Sequence, residues 1–234
     1  FTKAINIWGA DHHGYVPRMK AALATHDISP EWLSVMLIQL VKLWEDGREV
    51  KMSKRAGSFV TLQELMDEVG VDAIRFVFLT KHHDSPLDFD INRVKRQDSE
   101  NPVYYVQYAH ARICSIFRKA RAVGLTVPDE LKSLESYLVL EEELALVRMI
   151  SAFPSRLEDI ARSLEPHRLT YYLTELAASF HRYFNLGTKV SAHRIVTDDP
   201  DLSRARLFLA QGIKRVIANG LRLLGVSAPK SMQS

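Results

Sequence analysis

The sequence predicts an α/β plus all-α chain, a mixed segment at residues 1–98 followed by a helical bundle at 99–234. Three observations carry this reading. Short apolar runs alternate with turn signals before Asp98; an Asp-Gly pair, Asp46-Gly47, joins two strand-like runs within that stretch; and from Pro102 onward the pattern is almost wholly helical. With 234 residues, 47% hydrophobic and 25% charged, the chain is long enough for two ordinary domains and is neither disordered nor fibrous.

Ala4 to Trp8 is a brief apolar run that ends in Gly9-Ala10-Asp11-His12-His13-Gly14, and an amphipathic stretch follows from Pro17 to Ala24. This reads as strand, loop and helix. Ligands of open α/β sheets bind beyond the carboxyl ends of the strands, which is where Gly9 and Asp11 fall. Glycine lets a ligand approach the backbone, and a carboxylate accepts hydrogen bonds from both hydroxyls of a ribose. His12 and His13 bring metal to mind, but no further ligand has a recognisable spacing, so no protein-bound metal is expected.

Leu33 to Trp44 and Glu49 to Met52 flank Glu45-Asp46-Gly47-Arg48, a β-hairpin signal. The hairpin leads into Val50-Lys51-Met52-Ser53-Lys54-Arg55-Ala56-Gly57. Two ammonium groups on long stems can close on a triphosphate and follow the charge that develops on leaving pyrophosphate, with Ser53 and backbone N–H groups as further donors. Thr61 and Glu64 have capping-box spacing, so a helix starts just past this loop. Gly70 ends it, and Asp72 is placed to cap a second helix with Ile74, Val77 and Phe78 on its apolar face. Lys81 to Pro86 reads as an exposed polar turn.

Beyond Pro102 the spacing predicts helices over 102–123, 137–151, 153–163, 166–185 and 203–224. Tyr104, Tyr105 and Tyr108 open the first of them beside Arg112, a combination that serves either as core or as a base-stacking platform. Leu186 to Asp201, with Lys189, His193 and Arg194, is the one long polar connection, and long loops in compact domains are often functional.

The formal net charge is +3, unevenly spread. Through Asp98 there are 13 Lys and Arg against 14 Asp and Glu, and beyond it 18 against 14, of which 13 are arginines. Arginine is the cation suited to bidentate phosphate contact and base stacking. The single cysteine, Cys114, excludes an internal disulfide or a Cys-x-x-Cys metal knuckle, lies in a helical pattern, and agrees with a reducing compartment. No apolar run approaches the roughly 18 residues that span a bilayer, so no membrane association is expected.

The order of these signals resembles the second half of a class I aminoacyl-tRNA synthetase, and within that class the arginyl-tRNA synthetase family. The segments that carry the resemblance are Trp8 to Arg18, Val50 to Gly57, Glu68 to Phe76, Asn101 to Arg112 and the tail Leu223 to Met232. Tyr-Val-Gln-Tyr-Ala-His-Ala-Arg (105–112) and the Pro229-x-x-Met232 tail are the most specific for the arginine family, since the lysine motif is shared across the class.

The resemblance implies the carboxyl-terminal half of a Rossmann-type nucleotide-binding domain joined to a helical anticodon-binding domain. It also implies the reaction in which arginine's carboxylate attacks the α-phosphate of ATP, with Mg2+ accompanying the nucleotide, before the arginyl group passes to tRNA(Arg). By the same resemblance Gly9, Asp11 and His12 face ATP together with Lys51, Met52, Ser53 and Lys54, and Lys51 and Lys54 are the catalytic pair. Tyr108, Arg112, Arg194, Pro229 and Met232 are the tRNA-contact candidates, the partners are tRNA(Arg) and L-arginine, and the whole enzyme is expected to be cytoplasmic and monomeric. One departure stands out. The class carries a first signature, His-x-Gly-His, and no such tetrapeptide occurs here. The expectation is a carboxyl-terminal fragment with half an active site, inactive alone. A stand-alone, synthetase-derived RNA-binding module is the alternative.

Overall fold

In the computed structural model, residues 1–50 and 60–232 are described, and 61% of the chain is helical, with small sheets. The chain packs as two compact units, residues 1–62 with 81–92, and residues 63–80 with 93–234. No helix among the described residues is long and apolar enough to cross a membrane.

The first unit carries the strands. β1 (Ala4–Gly9) pairs in parallel with β2 (Leu33–Ile38), from Ala4 opposite Leu33 to Gly9 opposite Ile38. Parallel neighbours need a crossover, here a 3-10 turn (Ala10–Tyr15) and α1 (Val16–Ala24), whose first turn accommodates Pro17 because its missing N–H has no helical partner there. β3 (Val41–Glu45) and β4 (Arg48–Glu49) form the expected hairpin. Asp46 and Gly47 both have positive φ, 50° and 73°, as a two-residue hairpin turn of matching twist requires.

Two expectations for this unit need correction. The run 33–44 is not one strand: β2 ends at Ile38, and the amide of Gln39 leaves the sheet to donate to the His83 carbonyl at 2.9 Å, so β3 belongs to a second sheet. Its parallel partner is β5 (Leu87–Asp90), a strand that follows the 81–86 turn and that the sequence reading missed. Leu87 and Phe89 of β5 are buried while Asp88 and Asp90 are exposed, so its apolar face is only two residues long.

The second unit is helical: α2 (Leu62–Val69, from Gln63), α3 (Val71–Phe78), the end of α4 (Ile91–Lys95), α5 (Pro102–Ala122), α6 (Glu141–Ser151), α7 (Phe153–Ser163), α8 (His167–Lys189) and α9 (Pro200–Leu223). α5 packs on α3, α8 and α9, and α6 on α8 and α9. Phe76, Val106, Ile113, Leu146, Leu173, Phe180, Leu207 and Ile217 fill the core, and Cys114 is buried on α5. α8 and α9 approach closely at Gly220, where an added Cβ would lie 2.6 Å from Leu173.

Helix ends account for the remaining differences from the sequence reading. α2 starts one residue after Thr61, but Asp72 does not cap α3; Gly70, with φ 85°, precedes that helix. The Asp72 carboxylate instead receives the Gln107 amide at 2.8 Å and the Ser227 backbone N–H at 3.1 Å, so it anchors the chain's tail. α8 continues to Lys189 and α9 begins at Pro200 under an Asp199 cap, which shortens the long connection to residues 190–199.

One buried ion pair ties that connection down. Arg206 is 3% exposed and Glu143 0%, with Nε 2.6 Å from Oε1. The other guanidinium nitrogens donate to the carbonyls of Arg194 (2.7 Å) and Ala192 (2.6 Å), while Glu143 also accepts from the Tyr183 hydroxyl (2.8 Å) and the Leu140 N–H (3.1 Å). Arg206→Ala strands a buried carboxylate and two carbonyls, and is expected to lower unfolding stability by about 3–5 kcal/mol in urea titration. Arg206→Met combined with Glu143→Leu is expected to lose less than Arg206→Ala alone.

Candidate functional site

In the first unit β1 delivers Gly9 to the sheet's carboxyl edge, and the 3-10 turn carries Asp11 and His12, both exposed. Gly9 has ordinary φ, −64°, so conformational freedom is not why it is glycine. Space is: a Cβ there would stand 2.6 Å from Asp11 Oδ1 and push the carboxylate aside. Asp11 Oδ2 lies 3.7 Å from His12 Nε2. The His12 ring stands 6.5 Å from Trp8 and 5.9 Å from Tyr15, and these three with Met19 line an aromatic hollow of about 320 Å3. The structure therefore brings Gly9, Asp11 and His12 together. Lys51, Met52, Ser53 and Lys54 lie outside the described residues. Among those described, no three His, Cys, Asp or Glu side chains converge as metal ligands.

In the second unit Asn101 starts α5, accepting the Tyr104 N–H at 3.4 Å and donating to the Val94 and Arg96 carbonyls. Residues 104, 108 and 112 then recur every four positions and share one face. The Tyr104 and Tyr108 rings stack at 5.9 Å and 11°, and the Arg112 guanidinium lies 4.5 Å from the Tyr108 ring and 4.6 Å from Phe184. Together they make an aromatic–cation–aromatic column. Arg112 donates to His181 Nδ1 at 2.9 Å, and His181 Nε2–H donates to the Tyr105 carbonyl at 3.2 Å. Burial, with Arg112's charge as a lesser cause, pulls the His181 pKa down to about 4 against a partial offset from the Tyr105 carbonyl, so the ring is neutral and can accept from arginine. Gln97, Tyr105 and Asn185 complete a hollow of about 390 Å3.

The other tRNA-contact candidates sit elsewhere in this unit. Arg194 is exposed on the 190–199 connection, its backbone held by Arg206. Pro229 and Met232 are half-buried in the tail, which lies along a different face of α5: the His110 Nδ1 donates to the Pro229 carbonyl at 2.8 Å and Arg118 to that of Lys230 at 3.2 Å. At about 100° per residue, positions 107, 110 and 118 lie roughly a third of a turn from 104, 108 and 112. Tyr108 and Arg112 are thus brought together, while Arg194 and the tail are not part of their column. The sequence reading missed His181, Phe184 and Arg206. The pair Phe180-His181 with Phe184 one turn on was the available signal for an aromatic face on α8.

Residues 106–232 match the family model of the DALR anticodon binding domain, more than half of the chain. The chain belongs to this family. A curated arginine–tRNA ligase from Syntrophotalea carbinolica is 53% identical over 99% of the chain, which spans 41% of that protein. A Campylobacter jejuni structure described as an arginyl-tRNA synthetase superposes with TM-score 0.84 at 35% identity, over 98% of this chain and 48% of that one. The Thermus thermophilus arginyl-tRNA synthetase gives 0.79 at 26%, over 99% and 41%. The chain thus spans under half the length of each. In this DALR domain α5, α8, α9 and the tail fall wholly or largely within the matched residues.

The folded His181 takes up its proton near pH 4 and the unfolded one near 6.5. The unfolded state therefore binds the extra proton between these values, so this contribution to stability is complete above pH 6.5 and is lost as pH falls toward 4. His181→Gln, which can accept from Arg112 and donate to Tyr105, is expected to flatten that part of the pH–stability curve, as read by denaturant unfolding at pH 7 and pH 5.

Proposed function

We propose that this chain is the portion of an arginine–tRNA ligase that joins half of the adenylate-forming site, residues 1–98, to the anticodon-binding domain, residues 99–234. The observation that carries this is the placement of the Tyr108–Arg112–His181 hollow on helices of a matched anticodon-binding domain. On this reading the first unit is the second half of a Rossmann-type nucleotide fold. The parallel β1–α1–β2 crossover, with Gly9 and Asp11 at its carboxyl edge, supports it.

The reaction follows from where charge develops. The arginine carboxylate attacks the α-phosphate of ATP, pyrophosphate leaves, and the terminal adenosine hydroxyl of tRNA(Arg) then displaces AMP from arginyl-adenylate. Mg2+ arrives with ATP as part of the substrate. Asp11, exposed and kept clear by Gly9, accepts the ribose hydroxyls, and His12 borders the aromatic hollow beside them. Lys51 and Lys54 would stabilise the charge on the departing pyrophosphate, with Met52 and Ser53 shaping their loop. No side chain serves as nucleophile; the protein's contribution is positioning and electrostatic stabilisation.

Bases of an unpaired loop stack on the tyrosine–arginine face, the usual way proteins read single-stranded RNA. Pro229 and Met232 extend this contact along the tail, and Arg194 along the connection. The enzyme acts in the cytoplasm as a monomer on tRNA(Arg) and L-arginine, without membrane contact.

In the ligase that carries this sequence, Lys54→Ala is expected to lower turnover about 100- to 1,000-fold with little change in ATP affinity. A change confined to the KM for ATP in steady-state kinetics would remove Lys54 from the transition state. The 234-residue chain itself is expected to bind tRNA(Arg) with affinity that falls steeply as salt rises, and to prefer it to an unrelated tRNA in competition. Equal competition would reduce the helical unit to a generic basic surface.

A further inference from the structure

Next to the tyrosine–arginine hollow is a second depression, of about 340 Å3. Ile116 and Val123 near the end of α5, Phe184 on α8 and Ile195 on the 190–199 connection supply apolar walls, with Lys119 and Arg194 also at its edge. This is the small end of ligand sites, which begin at about 300 Å3. Apolar walls that include one aromatic ring favour a flat, uncharged heteroaromatic. Both cations are exposed, and among the described residues neither side chain is in an ion pair, which favours an anion attached to that heteroaromatic.

Two observations connect the depression to its neighbour and fix its shape. Phe184, one of its walls, is also the ring against which Arg112 stacks at 4.6 Å, and the opposite contact of Arg112 is Tyr108 at 4.5 Å. One column therefore separates the two hollows and borders both. The far wall is set in advance. Arg206 holds the carbonyls of Ala192 and Arg194, and Gly187 lets the connection lie against α8, since a Cβ there would stand 2.7 Å from the His193 carbonyl oxygen. A site shaped before its ligand arrives loses less entropy on binding.

We propose that this depression is a second nucleotide subsite: it takes the base of another nucleotide of the RNA loop whose bases stack at Tyr108, while Lys119 and Arg194 hold that nucleotide's phosphates. A base is the flat heteroaromatic and its phosphate the attached anion. The inference rests on the RNA-binding reading above and adds a separate site to it.

Thr188 is exposed beside the depression on α8, where a large side chain can enter the hollow without disturbing the core. The probes are a synthetic hairpin with the anticodon stem and loop of tRNA(Arg), and a set of such hairpins each abasic at one loop position. Thr188→Trp in the full chain is expected to weaken binding of the intact hairpin about tenfold, within the range of a single base contact. For one abasic hairpin the wild-type chain should lose a similar factor and Thr188→Trp should add nothing further, whereas Tyr108→Ala should still weaken that hairpin. Lys119→Ala with Arg194→Ala should reduce the slope of log affinity against log salt by roughly one to two. Binding by Thr188→Trp that equals wild type on the intact hairpin, or that is reduced by the same factor on every abasic hairpin, would overturn the subsite, as would an unchanged salt slope. In those cases hairpin binding by the wild type persists and the RNA-binding reading survives; a wild-type chain that binds no hairpin overturns both.

Discussion

The helical unit depends on a pair of charges that have no contact with water. Removing two ions from solvent costs several kcal/mol each, and mutual attraction returns that only when the remaining hydrogen-bonding capacity is also used. Arg206 and Glu143 meet this condition: each polar atom of the pair faces a partner from a different part of the chain, namely the start of α6, the middle of α8, and the connection before α9. Burial and the neighbouring carboxylate push the Tyr183 hydroxyl well above its ordinary pKa, so it remains a donor to Glu143. An apolar trio of the same volume could fill this space in several arrangements. The charged set is satisfied in one, and that arrangement determines where the carbonyls of Ala192 and Arg194 must lie.

The surface features follow from this interior. With the connection held against α8, the end of α8 keeps Phe184 within reach of Arg112, and Arg112 in turn orders the tyrosines of α5. The column also requires a neutral imidazole at its back. A protonated His181 would set N–H against N–H at the Arg112 contact, and burial already disfavours that charge. The chemistry of the first unit is simpler, because its ligand-facing groups sit on one strand end and one turn. There the decisive requirement is steric: the missing side chain of Gly9 leaves room for the carboxylate two residues on.

Much of this was legible in the sequence wherever a local signal and the tertiary structure agreed. The long helices were read to within a few residues from period and length, the hairpin from Asp46-Gly47, and the turn from strand to helix from Gly9-x-Asp11. The misses share a physical origin. β5 exists because β3 offers it a parallel edge, and four residues with two apolar side chains carry too little pattern to announce that pairing. Asp72 has the local appearance of a cap, but its partners, Gln107 and Ser227, are 35 and 155 residues away. Tyr108 and Arg112 were visible as neighbours on a helix; His181 and Phe184 came from another helix, and only packing brings them to the same column.

The two compact units are interleaved along the chain, since residues 63–80 belong to the helical one although strand-bearing residues 81–92 follow them. Core residues Leu65 and Phe76 and the tail's anchor Asp72 all lie in that early stretch. No single cut in the polypeptide separates the units whole. A gene fusion or exchange that moved everything after residue 98 would leave the bundle with an exposed apolar face and an untethered tail, so the two units can be inherited, swapped or lost only together.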